Sequence, residues 1–154
     1  MHDTFEIPAQ LQFLLSTCTA GDVDPEHIKA VMHKYGECMG RGDEDGIAAL
    51  FSPQSMIFDP VNAVPRPYSE LRSFFRGAFD AQGGFIEMKV EGEVRVAGNF
   101  GAAAYIAVMT IDGMHVIVET LDIMKFGSDG LVESLHAYWG PSNIKPSPRA
   151  PQRA

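Results

Sequence analysis

From residue 86 onward, apolar side chains recur at every second position, and this alternation limits the possible folds more than any other feature. A period of two belongs to strands that bury one face. Ile86, Met88 and Val90 share a face, and Val94 and Val96 continue it beyond Gly92, where a bulge would shift the register. Gly98-Asn99 reads as a turn and 101–111 as a second long strand. Asp112-Gly113 is a strong two-residue hairpin signal. Met114–Phe126 is a third strand, Gly127–Gly130 a turn, and Leu131–Trp139 a fourth strand. Such a meander needs a cover for its apolar face.

The first half supplies the cover. Asp24-Pro25 opens a helix, because Asp caps free N–H groups and Pro at the first position gives up no hydrogen bond. Ile28, Val31, Met32, Tyr35 and Met39 define its buried face, and Gly40 and Gly42 end it. Asp43 is expected to cap a short second helix through Ile47, Leu50 and Phe51, stopped by Pro53. Ser55–Asp59 reads as a short strand, 60–67 as a loop with three prolines, and Tyr68–Phe79 as a third helix. Helices followed by an antiparallel meander imply an α+β fold, with three helices on one face of a curved, mostly antiparallel sheet. That arrangement forms a cone whose apolar mouth suits a small molecule.

The domain is expected over 23–144. Residues 1–22 form an extension whose apolar run Leu11–Leu15 would be an extra helix or a loosely held arm. The tail 145–154, rich in Pro, Arg and Ala, is expected to be disordered. A chain of 154 residues buries roughly 70% of its unfolded surface, enough for a core without staples. Twelve basic residues are scattered in a chain of net charge −8, which argues against nucleic acid as a partner. Cys18 and Cys38 form no C-x-x-C pair and read as reduced thiols of a cytoplasmic protein. The start Met1-His2-Asp3 lacks a signal-peptide pattern, and no stretch approaches the ~20 apolar residues of a membrane span.

Asp122 is the most informative position. Its face-mates are Met114, Val116, Val118, Thr120, Met124 and Phe126, whereas the opposite face carries His115, Glu119 and Lys125. An ionised carboxyl on the apolar face would be costly, so an inward Asp122 would hold its proton and donate a hydrogen bond. Asp59 ends a strand before a Pro-rich loop, a position that suits a reactive group and equally a turn aspartate. Tyr35, read alone, fits core packing. Trp139, the single tryptophan, alternates with Leu135 and Ala137 and either fills space or donates its indole N–H to a buried carboxylate. His33, His115 and His136 show no metal-ligand spacing, and no phosphate loop or nucleophile elbow is present.

Four pieces taken together resemble the bacterial steroid Δ5-3-ketoisomerases, within the NTF2-like or SnoaL-like cone fold: Val31-Met32-His33-Lys34-Tyr35, Ile57-Phe58-Asp59-Pro60, Leu121-Asp122-Ile123-Met124-Lys125-Phe126 and His136-Ala137-Tyr138-Trp139. The resemblance covers about residues 27–144. It implies that Asp59 is a base carrying a proton from C4 to C6 of a 3-oxosteroid through a dienolate. It also implies that Tyr35 and protonated Asp122 form the oxyanion hole and that Trp139 positions Asp59. Phe51, Phe75, Val118, Met124 and Leu135 are expected to line the pocket. No metal or cofactor is implied, and the family is commonly dimeric; Ile117, Leu121 and Ile123 on the outer sheet face are the candidate contact. Phe51 and Phe75 stand where some members carry further tyrosines, and Phe58 where a Glu often precedes the base. A polyketide cyclase or dehydratase on the same fold, and a non-catalytic module for a hydrophobic ligand, remain alternatives.

Overall fold

The computed structural model describes residues 4–154. Helix α1 (Ala9–Ser16) lies in the extension and buries none of its residues. The chain joins the main body where the Asn99 side chain accepts from the Asp22 and Val23 backbone N–H groups, at 2.9 and 3.2 Å. Helix α2 (Pro25–Arg41) starts as expected: the Asp24 side chain accepts from the Glu26 N–H at 2.9 Å, and Pro25 occupies the first helical position. Its buried stripe is Ile28, Val31, Met32, Tyr35 and Met39, joined by Cys38.

Helix α3 (Glu44–Ala48) is capped by Asp43 but stops earlier than expected. Phe51 belongs instead to strand β1 (Phe51–Phe58), which is longer than the Ser55–Asp59 read from sequence. The cause is tertiary. Strand β1 pairs in parallel with a strand about 80 positions downstream, Phe51 opposite Val132, and the Val132 N–H donates to the Leu50 carbonyl. Pro53 is tolerated because the ladder is interrupted between Phe51 and Met56, so its missing N–H costs no ladder bond. After the short strand β2 (Arg66–Pro67), one 3₁₀ turn at Tyr68–Glu70 leads into helix α4 (Leu71–Ala81), which turns Leu71, Phe75 and Phe79 inward.

The meander follows as β3 (Glu87–Ala97), β4 (Phe100–Ile111), β5 (Met114–Phe126) and β6 (Val132–Tyr138). The bulge falls between Glu91 and Arg95, with Gly92 at φ 74°, and the β4–β5 hairpin turns through Asp112 and Gly113 at φ 51° and 77°. Both turn residues are left-handed, as a two-residue hairpin requires. The sheet order is β2-β1-β6-β5-β4-β3, antiparallel except for β1 on β6.

The tail is ordered, contrary to the expectation for 145–154. Strand β7 (Ile144–Pro146) pairs with β5 at Val116–Val118, beyond the part of β5 taken by β6. Arg149 then grips Glu87 through two bonds of 2.8 and 2.6 Å, the Gln152 N–H donates to the same carboxylate at 2.6 Å, and the Ala154 N–H donates to the Gly40 carbonyl. Glu87 is only 4% exposed, and its partners lie in the tail. A buried carboxylate left unpaired would be costly, so the charge of Glu87 fastens a segment with little apolar surface of its own. The Arg149 bonds, and secondarily the Gln152 N–H, hold the Glu87 carboxyl below its ordinary range.

Candidate active site

Between the helices and the concave face of the sheet lies a cavity of about 380 Å³, within the range of small-molecule sites. Phe74 and Phe75 from α4, Met88 from β3, Met109 from β4, Val118 from β5 and Ile144 from β7 make its apolar walls. Its polar lining is Tyr35, Asp59, Thr120, Asp122 and Trp139.

The sheet register brings the two carboxyls together. Parallel pairing of Phe58 with His136 sets Asp59 level with Ala137, and Ala137 is the β6 partner of Asp122. The two aspartates therefore flank one small residue, two strand spacings or about 10 Å apart along the backbone. The Val61 N–H donates to the Ala137 carbonyl at 2.9 Å and ties the loop after Asp59 to this point.

Asp122 is 1% exposed and faces the cavity. Burial, reinforced by the charge of Asp59, pushes its carboxyl up to about 8, against a smaller opposing effect of a hydrogen bond from Thr120. At neutral pH it is a neutral acid able to donate. Asp59 is half-buried, and burial raises its carboxyl too. Here the opposing influences are an indole N–H bond from Trp139 at 2.8 Å and the charge of Arg66. The Arg66 guanidinium lies 4.6 Å from the centre of the Phe74 ring.

Tyr35 lines the cavity with its ring buried among three aromatic neighbours. Phe51, Phe75 and Tyr105 meet it edge-on, with centroids 6.4, 6.1 and 5.9 Å away. Its hydroxyl finds no hydrogen-bond partner among the described residues, whereas the Tyr105 hydroxyl is spent on the Met32 carbonyl at 2.8 Å. The Tyr35 phenol is pushed well up by burial first and by Asp122 and Asp59 after it, so it stays neutral. A phenol and a neutral carboxyl that both keep a proton can donate to oxygen, while Asp59 accepts a proton.

Tyr35, Asp59, Asp122, Trp139, Phe75 and Val118 thus share one cavity. Phe51, Met124 and Leu135 do not line it, contrary to expectation. Phe51 packs behind the Tyr35 ring. Met124 and Leu135 pair with each other deeper in the cone. There, Ile28 and Met32 of α2 come so close to Gly101, which is paired with Met124, that a Cβ on Gly101 would lie 2.6 Å from each; the narrow end is filled. Phe58 turns away from the base and stacks on His136 at 4.3 Å. Two residues were missed. Thr120 was visible as a face-mate of Asp122, and its hydroxyl could have been paired with that carboxyl. Arg66 carries no local signal, because its approach to Asp59 depends on the fold of the loop. Among the described residues no cluster of three His, Cys, Asp or Glu side chains is placed to hold a metal ion, and no helix is long and apolar enough to cross a membrane.

No family model matches the sequence. A curated relative, the Steroid Delta-isomerase of Nocardioides simplex, is 30% identical over 125 residues, spanning 79% of this chain and 96% of the relative. The chain belongs to the steroid Delta-isomerase family. Its cone is that of the NTF2-like, SnoaL-like superfamily. A solved structure of the epoxide hydrolase/cyclase-like enzyme SalBIII, described for pyran ring formation in the polyether salinomycin, superposes with a TM-score of 0.70 at 24% identity, over 80% of this chain and 98% of that one. The fold is therefore shared with a protein described for quite different chemistry.

Proposed function

We propose that this protein is a steroid Δ5-3-ketoisomerase acting on a 3-oxosteroid or a similar hydrophobic enone. The observation that carries the reading is one apolar cavity holding two carboxyls, one of them pushed up to about 8, beside a neutral phenol. The Asp59 carboxylate removes a proton from C4, and the C–H electron pair forms the dienolate with negative charge on the C3 oxygen. Tyr35 and neutral Asp122 donate hydrogen bonds to that oxygen, stabilising charge where it develops. Asp59 then returns the proton to C6, the C3 carbonyl re-forms, and the double bond lies between C4 and C5. Atoms and electrons balance with no co-reactant.

Phe51 and Phe75 hold Tyr35 through ring contacts and offer it no hydroxyl. Its donor strength is therefore set by Asp122 and the cavity. Leu121 and its β6 partner Tyr138 are 44% and 48% exposed on the outer sheet face, and a second copy covering them would make a homodimer. Both cysteines are free thiols, which fits the cytoplasm. The deciding assay mixes purified protein with 5-androstene-3,17-dione and follows conjugated-enone absorbance. Turnover above buffer that is lost in Asp59→Asn supports the isomerase. No turnover, with hydrophobic-ligand affinity unchanged in Asp59→Asn, would point to a binding module.

A further inference from the structure

Asp122 has small neighbours on both sides within the sheet. Its partners are Ala103 on β4 and Ala137 on β6, both buried. Two methyl groups leave the carboxyl free to rotate about its last bond and offer it no hydrogen bond. The residue that does bind it is Thr120, two positions earlier on the same face of β5, whose hydroxyl donates to Asp122 Oδ1 at 2.9 Å. Thr120 and Asp122 both line the cavity. A neutral carboxyl has one oxygen that accepts and one that carries the proton. A bond from Thr120 to Oδ1 assigns the accepting role to that oxygen and the proton to Oδ2.

We propose that Thr120 is a positioning residue, whose hydroxyl fixes the rotation of the Asp122 carboxyl so that Oδ2–H is aimed into the cavity at the substrate oxygen. This rests on the isomerase reading of the same site. The hydroxyl also has a cost. Donation to a carboxyl favours its ionised form, so Thr120 lowers the pH at which Asp122 ceases to donate. The other titratable groups facing Asp122 are Asp59 from the end of β1, Tyr35 from α2 and Tyr105 from β4. Asp59 raises Asp122, both phenols stay neutral, and β6 faces it with Ala137. Thr120 is thus the side chain that both orients this acid and limits its alkaline range.

The test uses the full chain and two variants, Thr120→Val, which keeps the shape, and Thr120→Ser, which keeps the hydroxyl. In Thr120→Val, kcat on 5-androstene-3,17-dione should fall roughly five- to tenfold, the size of one neutral hydrogen bond. Its alkaline limb should at the same time move up by about half a unit to one unit. Thr120→Ser should restore both. A loss of kcat with the limb unmoved, or no rescue by Ser, overturns the proposal. A carbon-13 titration of the Asp122 carboxyl, which needs no turnover, separates this from the function itself. An inactive parent refutes the isomerase reading, whereas an Asp122 midpoint unchanged in Thr120→Val refutes the Thr120 assignment. If Thr120→Val does not fold, as judged by circular dichroism, a Thr120→Ala variant carries the same titration.

Discussion

Asp59 and Asp122 enter one cavity from opposite kinds of backbone. Asp122 sits mid-strand with a neighbouring strand on each side, almost wholly withdrawn from water. Asp59 follows the last residue of β1, at the start of a loop, half-buried and held by the Trp139 N–H. Burial raises both carboxyls; it pushes Asp122 up to about 8 with the charge of Asp59 adding to it, whereas the Trp139 N–H and the Arg66 charge oppose it at Asp59. In the proposed mechanism the difference lets one residue type serve as both base and acid. The strand end gives Asp59 a cationic and an N–H partner, which suits the base of the proposed mechanism. The strand centre gives Asp122 rigidity and a proton. Separation of two titrating groups by environment is a known pattern, of which the ketosteroid isomerases are a standard example.

The largest break in this comparison is Asp59→Asn. It removes the proposed proton acceptor, and kcat should fall by about 10²–10⁴, the range of general-base contributions, with KM little changed. Next is Asp122→Leu, which removes a proposed oxyanion donor and should cost about 10²–10³ in kcat, whereas Asp122→Asn keeps an N–H donor and should cost less. Equal kinetics in the two Asp122 variants would remove the acid from the mechanism.

A smaller effect sharpens the Asp59 side. The Trp139 bond holds the Asp59 carboxyl down against burial. Trp139→Phe should therefore move the acidic limb of kcat/KM to higher pH, with a loss of a few-fold at neutrality, read from a pH profile. The smallest effect is on stability. Between the ordinary carboxylate range near pH 4 and about 8, folded Asp122 keeps a proton that the unfolded chain has lost. Stability from this group is then fully present below about pH 4 and falls as pH rises toward 8. Denaturant melts of the parent should show that decline more steeply than Asp122→Asn, whose amide does not titrate.

The depth to which these features were legible in sequence follows their range along the chain. The bounds of β5 coincide with the reading because alternation and the Asp112-Gly113 turn are local signals. The inward side of Asp122 was legible for the same reason, through the contrast between the two faces of its strand. The strand character of Phe51 was not, because local capping favoured a helix and only pairing with Val132 decides otherwise. Nor was the bound tail, since Glu87 lies 62 residues from Arg149 and the composition of 145–154 alone has too little apolar surface to fold. Met124 shares a face with Asp122, yet whether a position on that face meets open space or helix depends on where α2 crosses the sheet.

The most direct measurement is a site-resolved carbon-13 titration of both aspartate carboxyls in the parent protein. At pH 7 Asp59 should be ionised and Asp122 protonated, with the Asp122 resonance shifting near pH 8. An Asp122 carboxyl already ionised at pH 7, or an Asp59 that holds its proton beyond Asp122, would contradict this assignment of base and acid.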